Sequence, residues 1–207
     1  MGLYIVPKHR NLKTEQKTLQ LILPLLSKFD AFKQNFHPSL INWSPLSWQG
    51  YRQTTSYTYQ IDLSKSLDEL LNNCNRNIKR NIKKAKAQLV IEMDLPPEQF
   101  YKINKMSFDR QGISMPYSLS LFLSHDEALH VQAKRKILYV LDQKGNVHAA
   151  SYLIWDQNSC YYHLAGENPS FRNSGAGILL VWEAIKYAKE ELQLKLFDFE
   201  GSMISNI

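Results

Sequence analysis

The chain has 207 residues, 44% of them hydrophobic and 12% aromatic, which is ample for a globular core and excludes a disordered polymer. Its formal charge of +6 points to a polyanionic partner, yet the excess is local: Arg76, Lys79, Arg80, Lys83, Lys84 and Lys86 lie between Asn75 and Ala87 with no acid among them, and the remainder balances at 19 basic against 19 acidic residues. Cys74 and Cys160 have no metal-ligand spacing, the histidines form no His-x-x-x-His pair, and no apolar run approaches the roughly 20 residues of a membrane span, so a disulfide framework, a zinc site and a spanning helix are all excluded.

With no leader pattern over Met1–Arg10, the reading is a soluble, cytoplasmic protein. Leu3–Val6 is a short strand candidate, Thr14–Phe29 a helix despite Pro24, and Asn35–Gly50 an aromatic loop with Pro38 and Pro45; Ser56–Leu63, "SYTYQIDL", alternates as a strand. Ser66-Leu67-Asp68-Glu69 has the form of a capping box, whose two side chains satisfy otherwise orphaned amides, so a helix starts there. Leu67, Leu70, Leu71, Cys74, Ile78, Ile82 and Ala85 recur at three- and four-residue steps, which predicts one continuous helix with an apolar stripe and its cations fanned over the remaining surface. Beyond it come a strand over Leu89–Asp94, a helix over Pro97–Arg110, the loop "QGISMPY" and a helix over Leu119–Ala133. Three strands in a meander follow, "KILYVLD", "VHAASYLIWD" and "CYYHLAG", and the chain closes with a helix and the strand "LKLFDFEG".

The stretch "FRNSGAGILLVWEAIKYAKE" sets Gly175 and Gly177 at the mouth of that last helix, where glycine costs about 1 kcal/mol relative to alanine. The first turn of a helix presents unpaired amides at the positive end of its dipole, and a residue without Cβ lets a phosphate approach them. Arg172 adds a forked donor set from the preceding loop. Leu180 breaks the Gly-x-Gly-x-x-Gly dinucleotide pattern, and no Gly-Lys-Ser/Thr loop is present, so nucleotide-dependent redox and kinase chemistry are disfavoured. Tight packing of helix on sheet is the competing explanation of the glycines.

Arg172-x-x-Gly175-x-Gly177, between a meander and an amphipathic helix, resembles the acyl-CoA-binding signature of the GNAT (N-acetyltransferase) superfamily: Arg or Gln, two residues, Gly, any residue, then Gly or Ala. "TTSYTYQIDL", "NNCNRNIKRNIKKAKA", "SFDRQGI" and "FDFEGSMI" resemble landmarks of the branch related to Fem-type peptidoglycan aminoacyltransferases, which carry two GNAT-like domains in tandem. The resemblance implies an α/β (α+β) fold, a mixed and largely antiparallel sheet flanked by helices. Residues 1–63 would be the closing half of a first GNAT-like unit, and 64–207 most of a second that lacks its last two strands. It implies an N-acyltransferase that needs no metal and moves an acyl group from acyl-CoA (acetyl-CoA) to a primary amine. Arg172, Asn173, Ser174, Gly175, Ala176 and Gly177 would then bind the diphosphate, the amide of Leu164 or Ala165 the carbonyl oxygen as it becomes an oxyanion, and Ile113, Met115 and Tyr117 the acceptor.

For the base, a hairpin across "QNS" in the register that sets Tyr152 opposite His163 and His148 opposite Glu167 gathers four polar groups on one face. Glu167 is then the first candidate base, with His148 or His163 as its partner; Asp198 and Glu200, on one face of the last strand, stand second. A solvated sheet face is the alternative, since a one-residue slip reverses the facing. The basic helix 76–86 reads as a solvated face, as a contact to an anionic membrane surface, or as a contact to transfer RNA. Two rival functions remain: an aminoacyl-tRNA-dependent transferase on a cell-envelope precursor, and a non-catalytic domain that binds an anionic partner or forms a homo-oligomer through exposed strand edges.

Overall fold

The computed structural model describes residue 8 and residues 11–36 and 40–201; the strand expected over Leu3–Val6 lies outside them. Contacts divide the chain into two compact units, Met1–Thr55 and Ser56–Ile207. In the first, Asn11 caps α1 (Leu12–Leu26) by accepting from the Thr14 amide. The stretch expected as an aromatic loop contains a short helix, α2 (Ser44–Trp48), with Pro45 in the first turn, where its missing N–H would have had no intrahelical partner.

The second unit begins with β1 (Gln60–Asp62) and α3 (Leu67–Asn73). The capping box forms as expected: Glu69 N–H donates to Ser66 Oγ at 3.2 Å, and Ser66 N–H to Glu69 Oε2 at 2.8 Å. The single helix predicted from Leu67 onward is two. Cys74 and Asn75 are extended (ψ 145° and 159°), and the Asn75 side chain accepts from the Ile78 amide, which starts α4 (Arg76–Lys86). Asparagine competes for backbone hydrogen bonds and so favours a cap over a helix interior, a preference the apolar stripe does not register.

The remaining elements are β2 (Val90–Met93), α5 (Pro97–Arg110), α6 (Leu119–Val131), β3 (Arg135–Leu141), β4 (Val147–Trp155), β5 (Ser159–Glu167), α7 (Ala176–Glu190) and β6 (Leu196–Asp198). They build one sheet of order β1-β6-β5-β4-β3-β2, antiparallel at every pairing except the parallel β5–β6. The fold is therefore mixed α/β with a largely antiparallel sheet flanked by helices. β1 covers the outer edge of β6, pairing Ile61 with Phe197, which leaves β1 and β2 as the edge strands of this sheet.

Alternation along the central strands separates two cores. Leu138, Val140, Ala149 and Leu153 pack with Ile82, Ala85, Leu179 and Ile185 of α4 and α7; Ile137, Ala150, Tyr152 and Ile154 pack with Phe100, Ile103 and Phe122 of α5 and α6. No helix among the described residues is long and apolar enough to cross a membrane.

Candidate functional site

β5 runs through a 3-10 turn, Pro169–Ser174, into α7. Gly175, the N-cap, has φ +79°, a left-handed conformation that disfavours any residue with a Cβ. The N-cap glycine has no side chain to offer; Ala176 N–H donates to Ser174 Oγ at 3.3 Å, and the first helical bond runs from Leu179 N–H to Gly175 O at 3.1 Å. The Gly177 and Ile178 amides thus point outward from the first turn. A Cβ on Gly177 would meet only Glu167 Oε1, at an ordinary 3.5 Å, so the protein's own packing does not call for glycine there. Arg172 and Asn173 are exposed beside the turn. The second half of α4 lies against it as well, with Ala85 Cβ 3.4 Å and Asn81 O 3.6 Å from the Cβ position of Gly175. Lys86 pairs with Glu183 at 2.7 Å, while Arg80, Lys83 and Lys84 remain exposed.

The β4–β5 register differs from the expected one by a residue. Tyr152 faces Leu164 and Ala149 faces Glu167, because a bulge between Tyr152 and Leu153 leaves His163 without a partner position. His148 falls at a second irregularity, where Val140 pairs with Ala149 but Leu141 with Val147, and it makes no hydrogen bond to Glu167, so the expected gathering of four polar groups does not form. Glu167 lies on the α7 face, where its charge, after burial, raises the Tyr162 hydroxyl's pKa. His148 is buried, its ring stacked on Phe171 at 4.1 Å and its Nε2 3.4 Å from Asp142 Oδ2. Asp142 is held at about 2, chiefly by hydrogen bonds from Asn146, and belongs to the hairpin turn.

β5 and β6 pair only through Tyr161↔Asp198, so the last six residues of β5 run on without a neighbour on that side. Asn168 N–H donates to His148 O at 2.8 Å, which sets the alternation: the 150/166 and 152/164 pairs exchange hydrogen bonds, and residues 165 and 167 turn theirs outward. Two contacts agree with this. Ala165 O accepts from Asn104 Nδ2 at 2.6 Å, and Glu167 N–H donates to Ser107 Oγ at 3.0 Å. Of the two expected oxyanion donors, the Leu164 amide is consumed by β4 and the Ala165 amide faces the gap.

His163 lies at the mouth of that gap, on the α5/α6 face. Its Nδ1 is 2.6 Å from Glu200 Oε2, so the carboxylate, which can only accept, fixes the proton on Nδ1 and leaves the Nε2 lone pair free. The structure therefore joins His163 with Glu200 rather than with Glu167. Asp198 is 6% exposed, and its oxygens accept from the Thr58 hydroxyl, from Gln60 Nε2 at 2.7 Å and from the Glu200 amide at 2.7 Å. In the loop expected to meet the acceptor, Ile113 is exposed and Met115 half-buried, whereas the Tyr117 hydroxyl donates to Asn104 Oδ1 and is pushed up to about 12 by burial.

Three residues at the site carried no motif. Asn104 and Ser107 were interior positions of a correctly predicted helix. His125 stood in a helix with no patterned partner; its ring lies 5.6 Å from that of His163, its Nε2 is shut from solvent without a hydrogen bond, and Tyr152 beside it donates to Asp126 Oδ1 at 2.9 Å. Burial, reinforced by His163, holds the His125 pKa below the ordinary histidine value. The unfolded chain then takes up a proton that the fold refuses, so stability should fall as pH drops through about 6.5. Urea midpoints at pH 8, 6 and 5 check this, and His125→Gln should flatten the decline.

A family model described as an acetyltransferase (GNAT) domain matches residues 72–202. Among solved structures, FemX superposes with a TM-score of 0.67 at 17% identity, over 96% of this chain and 63% of that one. The C-terminal domain of a protein described as a lysylphosphatidylglycerol synthetase from Agrobacterium fabrum gives 0.62 at 10% identity, over 93% and 61%. A tandem GNAT protein from the clavulanic acid biosynthesis pathway gives 0.52 at 11% identity, over 100% and 66%. This chain spans about three fifths of the length of the first two. No curated protein matches it.

Proposed function

Since the chain belongs to the acetyltransferase (GNAT) domain family, we propose that it transfers an acyl group from acyl-CoA to a primary amine within a ternary complex, in the cytoplasm. The observation that carries this reading is the end of β5–β6 pairing at Tyr161↔Asp198, beyond which β5 has no strand beside it, with the first turn of α7 on one face and the His163–Glu200 pair on the other. The CoA diphosphate would rest on the Gly177 and Ile178 amides with Arg172 beside it. The thioester would reach into the gap, and the acceptor would enter from the α5/α6 side past Ile113, Met115 and Tyr117.

In that arrangement the neutral amine attacks the thioester carbonyl carbon while His163 Nε2 takes a proton from its nitrogen. The carbonyl oxygen, now an oxyanion, receives the Ala165 N–H, and a donor preorganised in a water-poor gap is worth more than the same bond in water. Collapse breaks the carbon–sulfur bond, and the imidazolium returns its proton to the thiolate. Glu200 keeps the imidazole in the tautomer that allows both steps.

A second reading has its own support. Exposed Arg80, Lys83 and Lys84 stand on the helix that packs against the Gly175 turn, as a longer polyanion would require, so an aminoacyl-tRNA donor is the alternative. The tandem neighbour, matched over the whole of this chain and 66% of its own length, supports treating the first unit, Met1–Thr55, as part of a preceding GNAT-like unit; the boundary expected at residue 63 falls instead before β1, which pairs with β6 in the second unit.

Thermal shift separates these readings. CoA should raise the melting temperature, as a ligand specific to the folded state must. Gly177→Val should abolish that rise while changing apo stability by no more than about 1 kcal/mol. A CoA response that survives in Gly177→Val overturns the diphosphate site. A salt-sensitive gel shift with tRNA and no CoA response favours the alternative donor.

A further inference from the structure

Glu200 would not face His163 on backbone preference alone. Its φ is +56°, in the left-handed region that side chains other than glycine rarely adopt, and its amide is held there by Asp198 Oδ1 at 2.7 Å. Asp198 is in turn held by the segment around β1. Thr58 Oγ1 donates to Oδ1, Gln60 Nε2 donates to Oδ2 at 2.7 Å, and Phe199 N–H donates to Tyr59 O at 3.0 Å immediately before Glu200. A carboxylate that is 6% exposed with both oxygens engaged by a second strand is a fixed point from which the next turn is aimed.

We propose that Thr58, Gln60 and Asp198 form a clamp that positions Glu200, and through it orients the imidazole of His163, so that the β1 segment is part of the catalytic unit. Residues 58–60 lie outside the segment matched by the family model, residues 72–202, which therefore does not contain the whole of this site. The clamp acts through Glu200 and touches no reacting atom; Thr58, Gln60 and Asp198 are positioning residues. The inference rests on the reading of His163 as the base, and its test does not require that the acyl donor be known.

The test follows the His163 imidazole proton resonance across pH in the 207-residue chain, with folding of each variant checked by circular dichroism. Glu200→Gln should move the His163 midpoint to lower pH, because the imidazolium loses its anionic partner. Thr58→Val should move it part of the way in the same direction, and Thr58→Ser, which keeps the hydroxyl, should restore the wild-type midpoint. A structural role alone would lower stability in Thr58→Val without moving the resonance. The clamp is overturned if Glu200→Gln shifts the midpoint and Thr58→Val, still folded, does not. If Glu200→Gln itself leaves the midpoint in place, the carboxylate does not act on His163, and the assignment of the base fails with it.

Discussion

Replacing His163 by asparagine is expected to lower kcat/KM for amine acylation by about 10²–10⁴-fold, the range a positioned general base contributes. CoA binding, read by thermal shift, should remain at the wild-type level, because the Gly175–Ile178 turn lies on the opposite face of the sheet from the imidazole. The loss should appear in kcat, since deprotonation of the amine occurs in the transition state and adds nothing to ground-state binding. Glu200→Gln should show a smaller loss of the same kind, because it leaves a base of uncertain tautomer rather than none. Glu167 provides the contrast. It sits 3.5 Å from the Cβ position of Gly177, so Glu167→Gln removes a negative charge beside the proposed diphosphate and should tighten CoA while leaving kcat close to wild type. If Glu167→Gln abolished turnover and His163→Asn did not, the bases would have to be exchanged.

Gly166→Ala should produce the largest loss of stability of any glycine replacement here. A Cβ at that position would fall 2.5 Å from Asn104 N, Asn104 Cα and Ile103 O. All three are backbone atoms of α5, so no side-chain rotation can relieve the overlap; the helix must move away from β5. Overpacking of a tight core costs typically about 1–3 kcal/mol. Here the displacement would also break the Asn104–Ala165 and Ser107–Glu167 bonds, each with a net worth of about 1 kcal/mol. A drop of at least about 2 kcal/mol in the free energy of unfolding is expected, measured by urea denaturation. Gly177→Ala, at an open position, is the matched control. Alanine favours a helix over glycine, so Gly177→Ala should be neutral or slightly stabilising; an equal loss in both would mean that close approach to the α5 backbone does not set the cost at Gly166.

Much of this was legible in the residues, for identifiable reasons. The capping box at Ser66 and Glu69, the helix over Pro97–Arg110 and the three-strand meander depend on local chemistry: a cap, a period and a turn are complete within a few residues. The break at Cys74–Asn75 was local too, but an asparagine cap in the middle of an apolar stripe was outweighed by the stripe. The glycine turn was readable because two glycines in a helical context violate propensity, and a violated local rule marks a place where something else is being served.

The pairing of acid with base was not readable. Which carboxylate meets which imidazole depends on a bulge at His163, which moves every later residue of β5 by one position and exchanges its two faces; no residue type announces it. His125 and His163 are 38 positions apart and meet only because α6 and β5 share one side of the sheet. Likewise Thr58 reaches Asp198 across 140 positions through a strand pairing at the sheet edge. Local order in this protein follows from side chains acting on their own backbone within a turn or two, and that part the sequence by itself determines. The constellation of groups able to do chemistry follows from register and edge pairing, which are settled only when the hydrophobic faces of distant segments are buried together.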